Sequence, residues 1–200
     1  KAMLSHVDIT PSLLDFAGGL NPKNNSPKKW INPNKYWQGK DYVKGENRNG
    51  KNKFVSYQGT SWIPILGKDD DERFSTIFAS HTFHEIQMYY PMRVYRDRKY
   101  KLIWNIAHAQ PYPFASDLWA SSTWQAQLVI GMEAPFGKKT LKEYIHRPKF
   151  ELYAIDKDPH ESQNLANNPD YAKVLQQYKD LLKKSQIKLN DPWVVKWRYE

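Results

Sequence analysis

Apolar positions recur at helical spacing near both ends of the chain. Tyr171, Val174, Leu175, Tyr178, Leu181 and Leu182 share one face, and Lys173, Lys179, Lys183 and Lys184 cover much of the rest. This pattern predicts an amphipathic helix over 169–187. Asn168 supplies its N-cap, Pro169 suits its first position, and Asp170 complements its dipole. A shorter helix is predicted where Thr10-Pro11 opens and Gly18-Gly19 closes a run bearing Leu13, Leu14, Phe16 and Ala17. Between them, short β-branched and aromatic runs predict four strands: Phe74 to Ser80, Met92 to Arg96, Tyr100 to Ile106 and Phe150 to Ile155. Asp97-Arg98-Lys99 joins the second to the third, and Asp156-Lys157-Asp158-Pro159 is a turn after the fourth. Ser116 to Met132 reads as a helix, weakened by Ser121-Ser122-Thr123. The predicted class is α+β: a small antiparallel four-stranded sheet packed against a long C-terminal helix.

Residues 20–58 break this rhythm. They are rich in Asn, Lys, Gly and Pro, and no periodicity returns before Phe54-Val55. So long a stretch is a functional loop or a mobile insertion, part of which packs through Trp30, Tyr36 and Trp37. Three segments follow: 1–19, 20–58 and 59–200. In a chain of 200 residues this is one domain, or one and a half.

Composition narrows the partners. Eight Trp and thirteen Tyr argue against disorder and suit a protein that handles sugars, whose apolar faces stack on flat rings. A net charge of +9 concentrates polyanions: nucleic acid, anionic membrane or sulfated glycan. No basic cluster interleaved with aromatics matches a nucleic-acid module, so nucleic acid is not expected. The plain alternative is a solvated, lysine-rich surface. There is no cysteine, hence no disulfide and no thiolate metal site. No stretch reaches the roughly 18 apolar residues of a membrane span. The first residues lack a signal-peptide layout, so an export signal, if any, is expected upstream.

Chemistry concentrates in His81-Thr82-Phe83-His84-Glu85-Ile86-Gln87-Met88-Tyr89-Tyr90-Pro91-Met92-Arg93. A zinc site does not fit: H-x-x-H-E is not H-E-x-x-H, and on an extended chain His81 and His84 point to opposite faces. Substrate recognition fits better. His84 and Glu85 can bond hydroxyls or an amine, and Arg93 can fork onto sulfate or carboxylate. The competing reading is a buried network in which Arg93 pairs with Glu85 or a backbone carbonyl. No Ser-His-Asp signature or phosphate-cradling glycine loop is present, and Asp69-Asp70-Asp71-Glu72 lacks calcium-ligand spacing.

Several runs resemble the sulfatase family of the alkaline phosphatase superfamily. Glu151-Leu152-Tyr153 to Asn164-Leu165-Ala166 is similar to its E-L-Y-D-x-x-x-D-P-x-E-x-x-N-L-A signature, with Ala154 where Asp is usual. The run from Val7 to Asp15 resembles V-D-I-x-P-T-L-L-D, and Gly59 to Leu66 resembles G-x-S-L-x-P-L-L. Within the family, His84, Glu85, Met88, Tyr90, Pro91, Met92 and Arg93 match the H-E-x-x-M-x-Y-P-M-R spacing of the sulfamidases, or heparan N-sulfatases. Asp117 to Gln125 and Asp191-Pro192-Trp193-Val194 resemble further segments of that group. The resemblance implies the C-terminal subdomain of an exported hydrolase that removes sulfate from a sulfated glucosamine-containing glycan or monosaccharide. It implies that His84, Glu85, Tyr90 and Arg93 bind substrate, and that the 1–19 helix closes a missing N-terminal catalytic half. Formylglycine and calcium belong to that half, with no catalytic residue or metal ligand in this segment. The chain alone is then expected to be inactive. Two alternatives stay open: another sulfatase or phosphonate hydrolase of the superfamily, and a non-enzymatic module that binds sulfated glycan.

Overall fold

The computed structural model describes residues 2–28, 56–68, 71–84 and 88–199. They fall in two compact units, Lys1–Ser75 and Thr76–Glu200. The stretch expected to be a loop over 20–58, with Trp30, Tyr36 and Trp37, lies mostly outside the described residues.

In the first unit, a 3-10 turn, His6–Asp8, runs into helix α1 (Ile9–Phe16). The helix therefore starts ahead of Thr10, the expected cap. The preceding turn is already held by Asp8, which accepts from Ser5 N (2.8 Å). Asp8 also accepts from Thr60 N (2.8 Å), and Ser12 Oγ accepts from Trp62 N (3.0 Å). These bonds stitch α1 to the segment after Gly59. That contact needs glycine, since a Cβ on Gly59 would lie 2.0 Å from the Val7 carbonyl oxygen. Gly18, at φ +67°, ends the helix as expected. Strands β1 (Leu20–Asn21) and β2 (Ser26–Pro27) form a small antiparallel ribbon. The polar stitching turns Pro11 and Ser12 inward and leaves Ile9, Leu13 and Phe16 exposed.

The second unit is built on β3 (Ile77–His84), β4 (Met88–Arg96), β5 (Tyr100–Asn105) and β8 (Phe150–Ala154). They form one antiparallel sheet in the order β3-β4-β5-β8. An excursion between β5 and β8 carries α2 (Ser116–Ala120), α3 (Ser122–Ile130), the ribbon β6 (Pro135–Phe136) and β7 (Lys139–Thr140), and α4 (Leu141–Ile145). The helix expected over 116–132 is thus two helices. Ser121 takes extended dihedrals and caps α3 by accepting from Trp124 N, because its hydroxyl serves better as a cap than inside a helix. The first strand also begins later than expected, since Glu72–Phe74 is a 3-10 turn capped by Asp71.

Helix α5 (Ala172–Lys188) follows a 3-10 turn, Pro169–Tyr171, capped by Asn168. It covers one face of the sheet, as its apolar stripe requires. Leu102, Trp104, Leu152 and Ala154 from the sheet, Leu165, and Tyr178 and Leu182 from α5 form the core. Tyr178 meets Tyr95 and Tyr100 edge-on, and its hydroxyl donates to the Asp97 carboxylate in the β4–β5 turn. The run after β8 completes the sheet edge: Leu152 N donates to Asn164 Oδ1 (2.9 Å), and Leu165 N to Leu152 O (2.8 Å). Asp158 holds the intervening turn by accepting from Ser162 N and Gln163 N, both at 2.8 Å.

Candidate functional site

The β3–β4 pair carries the chemically rich segment, and its register is broken there. His81 pairs with Met92 and Phe83 with Tyr89, which leaves one extra residue on β4 at Tyr90-Pro91. Proline has no N–H to give the ladder, so a bulge at this place follows from the sequence. The bulge turns the Tyr90 carbonyl to His81, whose Nδ1 donates to it (3.0 Å).

Of the four residues expected to bind substrate, His84 ends β3 with its side chain exposed, opposite Met88. Glu85 lies outside the described residues. Tyr90 is fully buried, edge-on to Tyr112 (5.1 Å, 84°), and its hydroxyl has no hydrogen-bond partner among the described residues. Burial pushes that hydroxyl up to about 12, against the pull of the Arg147 charge.

Arg93 faces the α5 side of the sheet, and its side chain is 4% exposed. Its fork does meet a carboxylate, but one from this chain. Nε donates to Asp191 Oδ2 (2.6 Å) and Nη2 to Asp191 Oδ1 (2.9 Å), while Nη1 donates to the carbonyls of His81 and Met92, both at 2.9 Å. Asp191 also accepts from Gln186 Nε2 (2.8 Å) and Trp193 N (3.1 Å), and Gln186 Oε1 accepts from Trp197 Nε1 (2.6 Å). The result is a buried polar chain from β4 to the residues after α5. Burial works against the Asp191 charge, but hydrogen bonds from Arg93, Gln186 and Trp193 outweigh it and hold the carboxyl below its ordinary 3.8. Asp191 was visible in sequence only as part of an Asp-Pro-Trp-Val run, with nothing to tie it to Arg93.

The excursion after β5 adds an aromatic layer that sequence patterning missed. Tyr112, Tyr144, Phe136, Trp124, Phe114 and Trp119 follow one another in ring contact. Arg147 lies 3.6 Å over the Tyr112 ring. A groove of about 520 Å³ opens along this layer, between Met88 on β4, Pro111 to Phe114, Ser116, Trp119 and Ile145. A second polar cluster is closed off. Glu151, 5% exposed, accepts from Asn105 Nδ2 (2.7 Å) and the Tyr153 hydroxyl, and Lys139 Nζ donates to that hydroxyl (2.7 Å). Burial first, and then the Glu151 charge, raise the Tyr153 hydroxyl well above its ordinary range.

Among the described residues, no group of three or more His, Cys, Asp or Glu side chains is arranged to hold a metal ion. No helix there is long and apolar enough to cross a membrane. Among the described residues, the arrangement places an exposed imidazole, His84, at the end of β3 and an aromatic layer after β5.

No protein-family model matches the chain. It is 35% identical to human N-sulphoglucosamine sulphohydrolase over 144 residues, which are 71% of this chain and 28% of that protein. It is 23% identical to the ulvan-active sulfatase of Formosa agariphila over 176 residues, 86% of this chain and 26% of that one. The fold is shared with BT4656, solved in complex with its substrate D-glucosamine-2-N,6-O-disulfate, at a TM-score of 0.50 and 18% identity, covering 92% of this chain and 24% of that one. The chain spans about a quarter of the length of the curated relatives it matches. With its motifs, its sheet-and-helix fold and these relatives in agreement, the chain belongs to the sulfatases and corresponds to their C-terminal part.

Proposed function

We propose that the whole protein is an exported hydrolase that removes sulfate from a glucosamine-containing glycan, as an N-sulfoglucosamine sulfohydrolase does. The observation that carries this reading is the 35% identity to the human sulphohydrolase over 71% of the chain. The role of this part is recognition. His84 and Glu85 contact the sugar, while the buried Tyr90 and Arg93 hold the bulged stretch of β4. The sulfur chemistry belongs to a catalytic half outside this chain, where formylglycine supplies the nucleophile and calcium offsets the sulfate charge. The exposed Ile9, Leu13 and Phe16 of α1, spaced i, i+4, i+7, suit a helix that packs on that half.

In the full-length protein, His84→Ala or Glu85→Gln is expected to lower kcat/KM for N-sulfoglucosamine about ten- to a hundredfold, the worth of one charge-assisted contact. Turnover of a small aryl sulfate should fall far less, because it lacks the group being read. Equal losses on both substrates would remove the recognition role. A second reading, an O-sulfatase acting on another polysaccharide, is favoured by the match to the ulvan-active enzyme over 86% of the chain. Sulfate release from O-sulfated but not N-sulfated sugars would select it. No release from any sulfated sugar would leave a binding module.

A further inference from the structure

The groove along the aromatic layer has no part in the recognition role given to His84 and Glu85. Trp119 is 53% exposed, unusual for the largest apolar side chain. Its ring is nonetheless held from behind. Phe114 stacks on it (5.9 Å, 21°), and Phe114 leans on Trp124 (4.4 Å), which is 1% exposed and anchored in the excursion. A ring fixed on one side and open on the other is preorganised, so a ligand on the open face costs little ordering entropy. Among the described residues that line the groove none is charged, and those with a polar side-chain group are Ser116, Tyr112 and Trp119. Such a lining does not stabilise a sulfate or hold a cation. It suits the apolar C–H face of a pyranose, whose weakly positive hydrogens meet the negative face of an indole. Its volume of about 520 Å³ is within the range of small-molecule sites.

The position adds to the argument. Met88, which lines the groove, is the register partner of His84 across the β3–β4 pair. A sugar in the groove therefore lies next to one read at the hairpin end. We infer that the groove is a second carbohydrate subsite, holding the pyranose adjacent to the unit that loses sulfate and stacking it on Trp119. The place of the reacting unit rests on the function proposed above; the groove's affinity for a sugar does not.

The test uses the full-length protein and calorimetric titration with three probes. These are an N-sulfated heparan tetrasaccharide, its N-acetylated unsulfated counterpart, and N-sulfoglucosamine. Trp119→Ala is expected to weaken both tetrasaccharides roughly three- to tenfold, the usual worth of one aromatic stacking contact. It should leave the monosaccharide unchanged, and Trp119→Phe should keep most of the affinity. Unchanged tetrasaccharide binding in Trp119→Ala overturns the inference, as does failure of the wild-type protein to bind either tetrasaccharide. An equal loss for the monosaccharide overturns it too, by making the groove the reacting unit's own cradle. A large fall in melting temperature in both variants overturns it by showing that protein covers the groove. If Trp119-dependent binding is seen without sulfate release from N-sulfoglucosamine, the functional reading fails and the subsite stands. Release with Trp119-independent binding gives the reverse.

Discussion

Removing the Arg93 guanidinium would leave the Asp191 carboxylate, 8% exposed, without its charge partner. Truncation of either residue to Ala is expected to cost about 3–5 kcal/mol in denaturant unfolding, because the partner stays buried and charged. Replacing both by apolar residues of similar volume should recover most of that loss. The pair also predicts an acid limb. The Asp191 carboxyl lies below its ordinary value of 3.8 in the folded protein, so its contribution is complete above that value. It is lost as pH falls from there through the lower folded value, and Asp191→Asn should flatten this part of the stability–pH curve. At Tyr90 the sign is reversed: the buried hydroxyl has no partner among the described residues, so Tyr90→Phe should be neutral or stabilising by up to about 1 kcal/mol. A large loss of stability would show that the hydroxyl is bonded after all. Local pattern marked Arg93 as a residue needing a partner, since buried arginines are paired. It could not name one 98 positions away.

At the scale of elements, α5 and the sheet were legible because their periods are long and regular. The six apolar positions from Tyr171 to Leu182 span little more than three turns, and Tyr171, Val174, Leu175, Tyr178 and Leu182 pack onto the sheet core. Two substitutions measure it. Leu182, wholly buried, should cost about 2–5 kcal/mol as Ala. Asn168→Ala should cost about 1 kcal/mol, since the capping bond to Asp170 N is lost while the stripe is untouched. Where the reading failed, one residue had two uses. Ser121 could continue a helix or cap a new one, and it caps. Pro91 sits in a central strand, which propensity disfavours, and the chain answers with a bulge rather than a strand end. The aromatic groove was not legible at all. Its rings come from a stretch without strong periodicity and meet only through tertiary packing.

For the chain as a whole, the +9 charge matters more for encounter than for shape. Association of this chain with a sulfated glycan, the ligand class proposed above, should slow as salt rises from about 0.01 M to 1 M, while the Debye length falls from about 30 Å to 3 Å. A salt-independent on-rate in stopped-flow measurements would remove electrostatic capture from the account. The chain covers about a quarter of its relatives' length. On the proposed division between a catalytic half and a recognition part, the purified 200-residue chain is expected to release no sulfate, and turnover free of contaminating enzyme would overturn that division of labour.

The polar chain from Arg93 through Asp191 and Gln186 to Trp197 ties the bulged hairpin to the last described residues of the protein. Linkage runs both ways along such a tie. On the recognition role proposed above, a sugar bound beside β3 and β4 would, by the same free energy, steady the Asp191–Trp197 segment, so bound substrate should slow amide exchange there. Asp191→Ala should in turn loosen the grip on sugar. The segment after α5 would then serve as a gauge of occupancy at a site it never touches.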